Sequence, residues 1–233
     1  MRKIEGLLLD VDGTLIDSND AHAHAWMDAL SDFEIKPTYK EVRERIGMGG
    51  DNLLPLVAKI SIKSKEGQAI DKLRQTIFHE RYLKAIKPFH FAQQLLETLN
   101  KMNIKLVIAS SASEEDLLAL LRQTGLYHLI DDYTSSTDAE FSKPNPDIIE
   151  VALEKMQLPP SKVLMLGDTP YDIAAARKAG VDTIAFTCGG WKAKDLGDAV
   201  KIYKDPEDLL NDLRKNNTHA LEVRGHRGIS ENI

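Results

Sequence analysis

Residues 10–14 read Asp-Val-Asp-Gly-Thr, directly after the apolar run of residues 4–9. Two carboxylates at the end of a buried strand carry a large desolvation penalty unless a positive group compensates them. A bound divalent cation is one such compensation. In an extended segment Asp10 and Asp12 point to the same side. Asp10 can attack phosphorus as a covalent nucleophile. Asp12 can protonate the leaving oxygen, then activate water against the aspartyl phosphate. Asp and Gly also favour N-caps and turns, so the five residues alone read equally well as a helix start.

Three further segments bear on the choice. Ser110 and Ser111 follow a second apolar run, Lys143 lies in Phe-Ser-Lys-Pro-Asn-Pro, and residues 167–172 read Gly-Asp-Thr-Pro-Tyr-Asp. Each has a plain structural reading. The serines can cap a helix starting near Ser113, Lys143 can be an exposed loop lysine, and Asp168 and Asp172 can stabilise a helix N-terminus. Together they form a coherent phosphate site. Ser110 donates to a phosphoryl oxygen, and Lys143 neutralises the nucleophile and the transferring group. Asp168, with Asp10 and the Asp12 carbonyl, holds a hard cation, for which Mg²⁺ fits. Asp172 steadies a metal-bound water or Lys143. Gly13 lets the backbone approach the phosphate closely.

These residues need elements to position them. Unbroken apolar runs at residues 4–9, 104–109, 163–166 and 183–186 predict parallel strands buried on both faces. A weaker strand is predicted at residues 132–136. Amphipathic stretches at 92–102, 114–124, 146–156 and 171–179 predict the intervening helices, with Gly125 and Gly180 as C-terminal caps. Strand–helix alternation implies an α/β sheet, whose ligands bind at the carboxyl ends of the strands. The interval between the first two strands far exceeds one crossover. Its four helical stretches (19–30, 39–46, 52–61 and 65–84) predict an inserted helical subdomain joined by linkers at 15–18 and 85–91. The expected organisation is a core of residues 1–16 and 88–215, a helical cap of 17–87, and a loosely docked polar tail of 216–233.

Composition narrows the class further. The chain has 233 residues, is 42% hydrophobic and 28% charged, and carries a formal net charge of −6. This is ordinary for a globular protein, and no basic cluster suggests a nucleic-acid surface. The single cysteine, Cys188, excludes an internal disulfide framework and fits a reducing compartment. The apolar run behind Arg2 and Lys3 is too short for a signal peptide, and no stretch is long enough to span a membrane. A cytoplasmic monomer or homodimer acting on a small phosphorylated metabolite is expected.

The set Asp-Val-Asp-Gly-Thr-Leu, Ser110 after a strand, Lys143-Pro144 and Gly-Asp-Thr-Pro-Tyr-Asp resembles the four motifs of the haloacid dehalogenase superfamily. The resemblance runs from about residue 4 to residue 190. It implies a Rossmann-like α/β core with an inserted α-helical cap, and Mg²⁺-dependent phosphoryl transfer through an aspartyl phosphate on Asp10. Asp12 argues against the metal-free dehalogenases, which lack that aspartate. Two branches remain, phosphatases of the phosphoglycolate type and mutases of the β-phosphoglucomutase type. His22 and Trp26 resemble the mutase branch, where the histidine gates the general acid; both residues also suit an ordinary amphipathic cap helix. The cap loop at 45–52 has no arginine after Arg45, so a second phosphate lacks its anchor there. Its Gly49 and Gly50 suit a specificity loop or a simple helix connector. Gly13, Thr14, Ser111, His22, Gly49 and Gly50 are the expected substrate contacts, and Asp10, Asp12, Asp168 and Asp172 the expected metal site. Gly189-Gly190-Trp191 borders the site or merely turns the chain. A non-catalytic phosphate- and Mg²⁺-binding regulator is the reading from a different class.

Overall fold

The computed structural model describes residues 3–216 and 220–222. Among these, six parallel strands form one sheet: β1 (Gly6–Leu9), β2 (Lys105–Ala109), β3 (Asp132–Thr134), β4 (Val163–Gly167), β5 (Asp182–Phe186) and β6 (Lys201–Tyr203). Their spatial order is β3-β2-β1-β4-β5-β6. β1 is therefore central, with Leu8 opposite Val107 on one side and Met165 on the other. The chain reverses its winding direction at β1, and in such sheets ligands bind in the crevice beyond that point.

The apolar runs are unbroken because successive side chains feed two different cores. Leu7, Leu9, Leu106, Ile108, Leu164 and Leu166 pack on one face with the leucines of α5 (Ala92–Lys101), α6 (Glu114–Gln123) and α9 (Pro206–Asn216). Leu8, Val107, Val163 and Met165 pack on the other face with α7 (Asp147–Met156) and α8 (Pro170–Lys178). The sequence reading did not include β6 and α9. β6 is a three-residue edge strand with no buried residue to mark it.

Between β1 and β2 lie α1 (Asn19–Asp32), α2 (Tyr39–Arg43), α3 (Gly50–Ala58) and α4 (Lys65–Ile77). α1 packs against both α2 and α4. The helix expected over residues 39–46 ends at Arg43, ahead of Gly47 with its φ of 99°. α3 begins before residue 52 because Gly49, at φ 79°, supplies the N-cap conformation. The stretch expected to run to residue 84 is α-helical only to Ile77 and continues through a wider π turn, Phe78–Tyr82. The two connecting segments are not loose linkers. Ile16 is bridged to Pro88, and Asp17 and Phe89 donate to Lys87 and Leu15 across the pair. Leu15 and Ile16 are fully buried.

Most of the expected 216–233 tail lies outside the described residues. Ala220 and Leu221 are buried in the larger core, and Lys201 Nζ donates to the Ala220 carbonyl at 2.7 Å.

Leu8 is wholly buried at the centre of the sheet. Leu8→Ala is expected to lower unfolding free energy by about 2–5 kcal/mol, read as a lower urea midpoint at unchanged slope.

Candidate active site

The loops leaving β1, β2, β3 and β4 meet over the sheet's carboxyl edge. Asp10 continues β1, its amide donating to Leu166 of the neighbouring strand. Val11 turns into the core, and Asp12 returns to the Asp10 side. Lys143 arrives in the loop after β3 and is fully buried. Its ammonium lies 2.7 Å from Asp10 Oδ1 and 2.7 Å from Asp172 Oδ1. Asp172 sits in the first turn of α8, and its other oxygen accepts from Thr169 N and Oγ1 and from Asp168 N. It therefore caps the helix and also holds Lys143. Ser111 Oγ accepts from Lys143 N at 3.3 Å, so this serine, expected on the substrate, secures the lysine loop and also lines the cavity. Ser110 Oγ accepts from Ala112 N and keeps its own proton available to the cavity it lines. The cap of α6 is Ser113, not Ser110 or Ser111.

Two expected substrate contacts serve carboxylates instead. Thr14 is fully buried, with Oγ1 3.0 Å from Asp10 Oδ2 and 3.1 Å from Asp168 Oδ1. It is absent from the cavity lining, so it orients the two acids. Gly13, with φ 83°, is also absent from that lining; a Cβ there would overlap Asn19 Nδ2 and Asp168 Oδ2. Its close approach is to Asp168 rather than to a phosphate. His22 does line the cavity, but its Nε2 is bonded to Asp12 Oδ1 at 2.9 Å. Its ring stacks on Phe78 at 4.1 Å between centroids. Ser18 Oγ also donates to Asp12 Oδ1. Gly49 and Gly50 line the cavity, and a Cβ on Gly49 would collide with Ser142 beside Lys143.

The cavity is about 240 Å³, below the roughly 300–1,000 Å³ typical of drug-sized ligand sites, and suits a small metabolite. Its floor is Asp10, Asp12 and Ser110, and its far wall comes from α1, α3 and α4. On that wall Arg74, 6% exposed, pairs with Asp71 at 2.8 Å and with Asp116 of α6. It also lies 5.3 Å from the Trp26 ring centroid, and Asp116 is bonded to His79 at 2.8 Å. This group went unseen in the sequence, although Ile70, Arg74 and Ile77 at helical spacing put an arginine on a buried face. Arg45 lines the cavity as well. The 45–52 loop holds no arginine after Arg45, as expected, yet Arg45 itself and Arg74 of α4 both line the cavity. Gly189 borders the site: a Cβ there would overlap Asp168.

Charge is unbalanced at the floor. Lys143 serves Asp10 and Asp172, and His22 serves Asp12. Among the described residues, Asp168, fully buried, has only the neutral donors Thr14 and Asn19. Burial, then the charges of Asp10 and Asp172, pushes its carboxyl well above the usual range. Burial also pushes Asp10 up to about 7, with Lys143 opposing and Asp172 and Asp12 adding. Asp12 goes the other way, because His22 and Ser18 outweigh its burial. Burial works against the Lys143 charge, but Asp10 and Asp172 hold its pKa above the usual value. Carboxylate oxygens of Asp10, Asp168 and Asp172 lie within 4.8 Å of one another. A buried all-oxygen cluster short of positive charge fits a hard divalent cation. The Asp12 side chain, spent on Ser18 and His22, lies outside this cluster.

The folded, metal-free chain keeps a proton on Asp10 that the unfolded chain loses near pH 4. Its stability should therefore fall as pH rises from about 4 through about 7, by on the order of 4 kcal/mol. Urea melts in chelator across that range test this. A divalent cation should remove the decline, with a larger gain in Tm at pH 8 than at pH 5.

Known proteins are similar to this chain in sequence and fold. The chain is 25% identical over 213 residues to pyrophosphatase PpaX of Oceanobacillus iheyensis, covering 91% of this chain and 94% of the relative. It is 25% identical over 219 residues to the phosphorylated carbohydrates phosphatase of Thermotoga maritima, covering 91% and 99%. The crystal structure of a hydrolase from Pseudomonas syringae superposes with a TM-score of 0.84 at 29% identity, covering 91% of this chain and 98% of that one. The sequence profile of the haloacid dehalogenase-like hydrolases matches residues 7–186, from within β1 to the end of β5 and so across all four loops of the site. The chain belongs to the haloacid dehalogenase-like hydrolase family.

Proposed function

We propose that the protein is an Mg²⁺-dependent phosphatase that hydrolyses a small phosphate monoester through an aspartyl phosphate on Asp10, with helices α1–α4 as a cap over the site. The carrying observation is the unequal pairing of the two motif aspartates. Asp10 is bound to Lys143 at the cavity floor, and Asp12, two residues on, is bound to Ser18 and His22. The two acids thus sit side by side with separate partners, Asp10 against the ammonium that would also meet the transferring group and Asp12 free of it, which suits Asp10 for attack and Asp12 for proton transfer.

Substrate phosphate enters against Asp10, with Ser110 donating to a phosphoryl oxygen and Lys143 lending positive charge. Asp10 attacks phosphorus and the ester oxygen leaves with a proton from Asp12. Asp12 rests as a carboxylate; the approaching phosphate dianion raises its proton affinity, so that it takes a proton from solvent water and becomes the acid. Once the alcohol has left, the Asp12 carboxylate removes a proton from water, which attacks the aspartyl phosphate and releases inorganic phosphate. Asp10, Asp168 and the Asp12 carbonyl would hold Mg²⁺, with Asp172 beside them. Bound there, the cation supplies the charge that keeps Asp10 and Asp168 ionised and offsets the transferring phosphoryl group. The relatives named as a pyrophosphatase and a phosphorylated carbohydrates phosphatase support hydrolysis of small phosphate compounds.

Screening phosphorylated metabolites for free phosphate, with and without Mg²⁺, tests the activity. Isomerised sugar phosphate in place of free phosphate would overturn hydrolysis in favour of mutase chemistry. Asp10→Asn should lower turnover by about 10³-fold or more while the chain still folds. Asp12→Asn should slow turnover by about 10²–10⁴-fold, with phosphorylated protein detectable after acid quench. Retained turnover in Asp10→Asn would refute the covalent route.

A further inference from the structure

Asn19 is the first residue of α1, 2% exposed, and it touches neither the cavity nor the reacting acids Asp10 and Asp12 through any bond. Its Nδ2 lies 3.2 Å from Asp168 Oδ2 and 3.2 Å from the Gly189 carbonyl. The Gly189 carbonyl only accepts, and so does Asp168 as the carboxylate that would hold a cation, so the nitrogen must face them, and a flipped amide would set oxygen against oxygen. Its Oδ1 is buried without a protein donor. A side chain kept only for stability rarely leaves a buried acceptor unmatched. The neighbouring backbone is shaped to the same pair. Added Cβ atoms at Gly13 and at Gly189 would each overlap Asp168, and the one at Gly13 would overlap Asn19 too.

The other donor to Asp168 is shared. Thr14 Oγ1 has one proton and two carboxylates, Asp10 and Asp168, within reach. Asn19 is thus the donor committed to Asp168. The Gly189 carbonyl that takes its second proton also accepts from Arg43 of α2 at 2.7 Å.

We infer that Asn19 is a positioning residue for the cation site, holding the Asp168 carboxylate through Oδ2 and tying it to the start of α1. This rests on the reading of Asp168 as a ligand of a divalent cation. Donors behind metal ligands commonly contribute about 10–100-fold in metal affinity.

The test uses Mn²⁺ as the probe, binding to the full chain without substrate, followed by the electron paramagnetic resonance of free Mn²⁺. Asn19→Ala removes the donor, and Asn19→Leu removes it while filling the space. Both should bind Mn²⁺ about 10–100-fold more weakly than the unaltered chain. Half-saturating Mg²⁺ for phosphatase turnover should rise by the same factor, with kcat recovered at saturating Mg²⁺. Arg43→Ala, which spares the bond to Asp168, should bind Mn²⁺ within about threefold of the unaltered chain. Mn²⁺ affinity within about twofold in folded Asn19 variants overturns the inference alone. So does failure of both variants to fold, which would make Asn19 a folding residue. An unaltered chain that binds no Mn²⁺ would overturn the cation reading itself, and this inference with it.

Discussion

A single buried ammonium organises the site. Lys143 has no solvent contact and stands between Asp10 and Asp172, 2.7 Å from each. Removing one partner from such a pair leaves an uncompensated buried charge at a cost of about 3–5 kcal/mol. The geometry around it follows from that demand. Asp172 can face Lys143 because its other oxygen closes a capping box with Thr169 at the start of α8. The lysine loop can approach because Ser111 receives its amide. β4 and the loop after β3 must therefore end at matching heights, which the in-register parallel sheet provides.

One ammonium is not enough for the acids gathered there. Asp10, Asp168 and Asp172 share a small volume, and the donors to Asp168 among the described residues are neutral. In that respect the protein fold alone is electrostatically unfinished, with carboxyls driven toward their protonated forms. The cation of the proposed mechanism would complete it, and the same shortage that destabilises the bare site would supply its affinity. Asp12 is spared because His22 and Ser18 attend to it separately. Ser18 stands at the N-cap of α1 but makes no side-chain cap bond there, since its hydroxyl is spent on Asp12. The first helix after β1 gives up a local bond to serve the second acid.

The inserted helices join the core by more than their connections. Arg74 on α4 reaches Asp116 on α6, Arg43 on α2 reaches Gly189, and Asp51 accepts from Ser142 beside Lys143. These contacts close the far wall over the acids and bring Trp26, Arg45 and Arg74 to face whatever the phosphate carries. In the proposed mechanism the acids on the floor would serve any phosphate ester, and discrimination among leaving groups would fall to this wall.

The strands and the acids at their ends were legible in the sequence because both signals are local. An unbroken apolar run such as 4–9 marks a strand covered on both faces, and a carboxylate just after it marks the sheet's reactive edge. The insertion was legible from spacing alone. Long-range pairing was not. Thr14 and Gly13 sit inside the motif, yet only the fold shows that they attend to Asp168, 154 residues from Thr14, rather than to a substrate. Asn19, Arg74 and Asp116 look in sequence like a helix start, a surface arginine and a first-turn acid. Each found its partner on an element brought near by the crossovers. Sequence alone thus determined which acids line the floor, since residue type and strand position decide which carboxylates meet. Tertiary structure alone decided which donor holds which acid and what the far wall presents, because hydrogen bonds a few ångströms long depend on how separate elements pack.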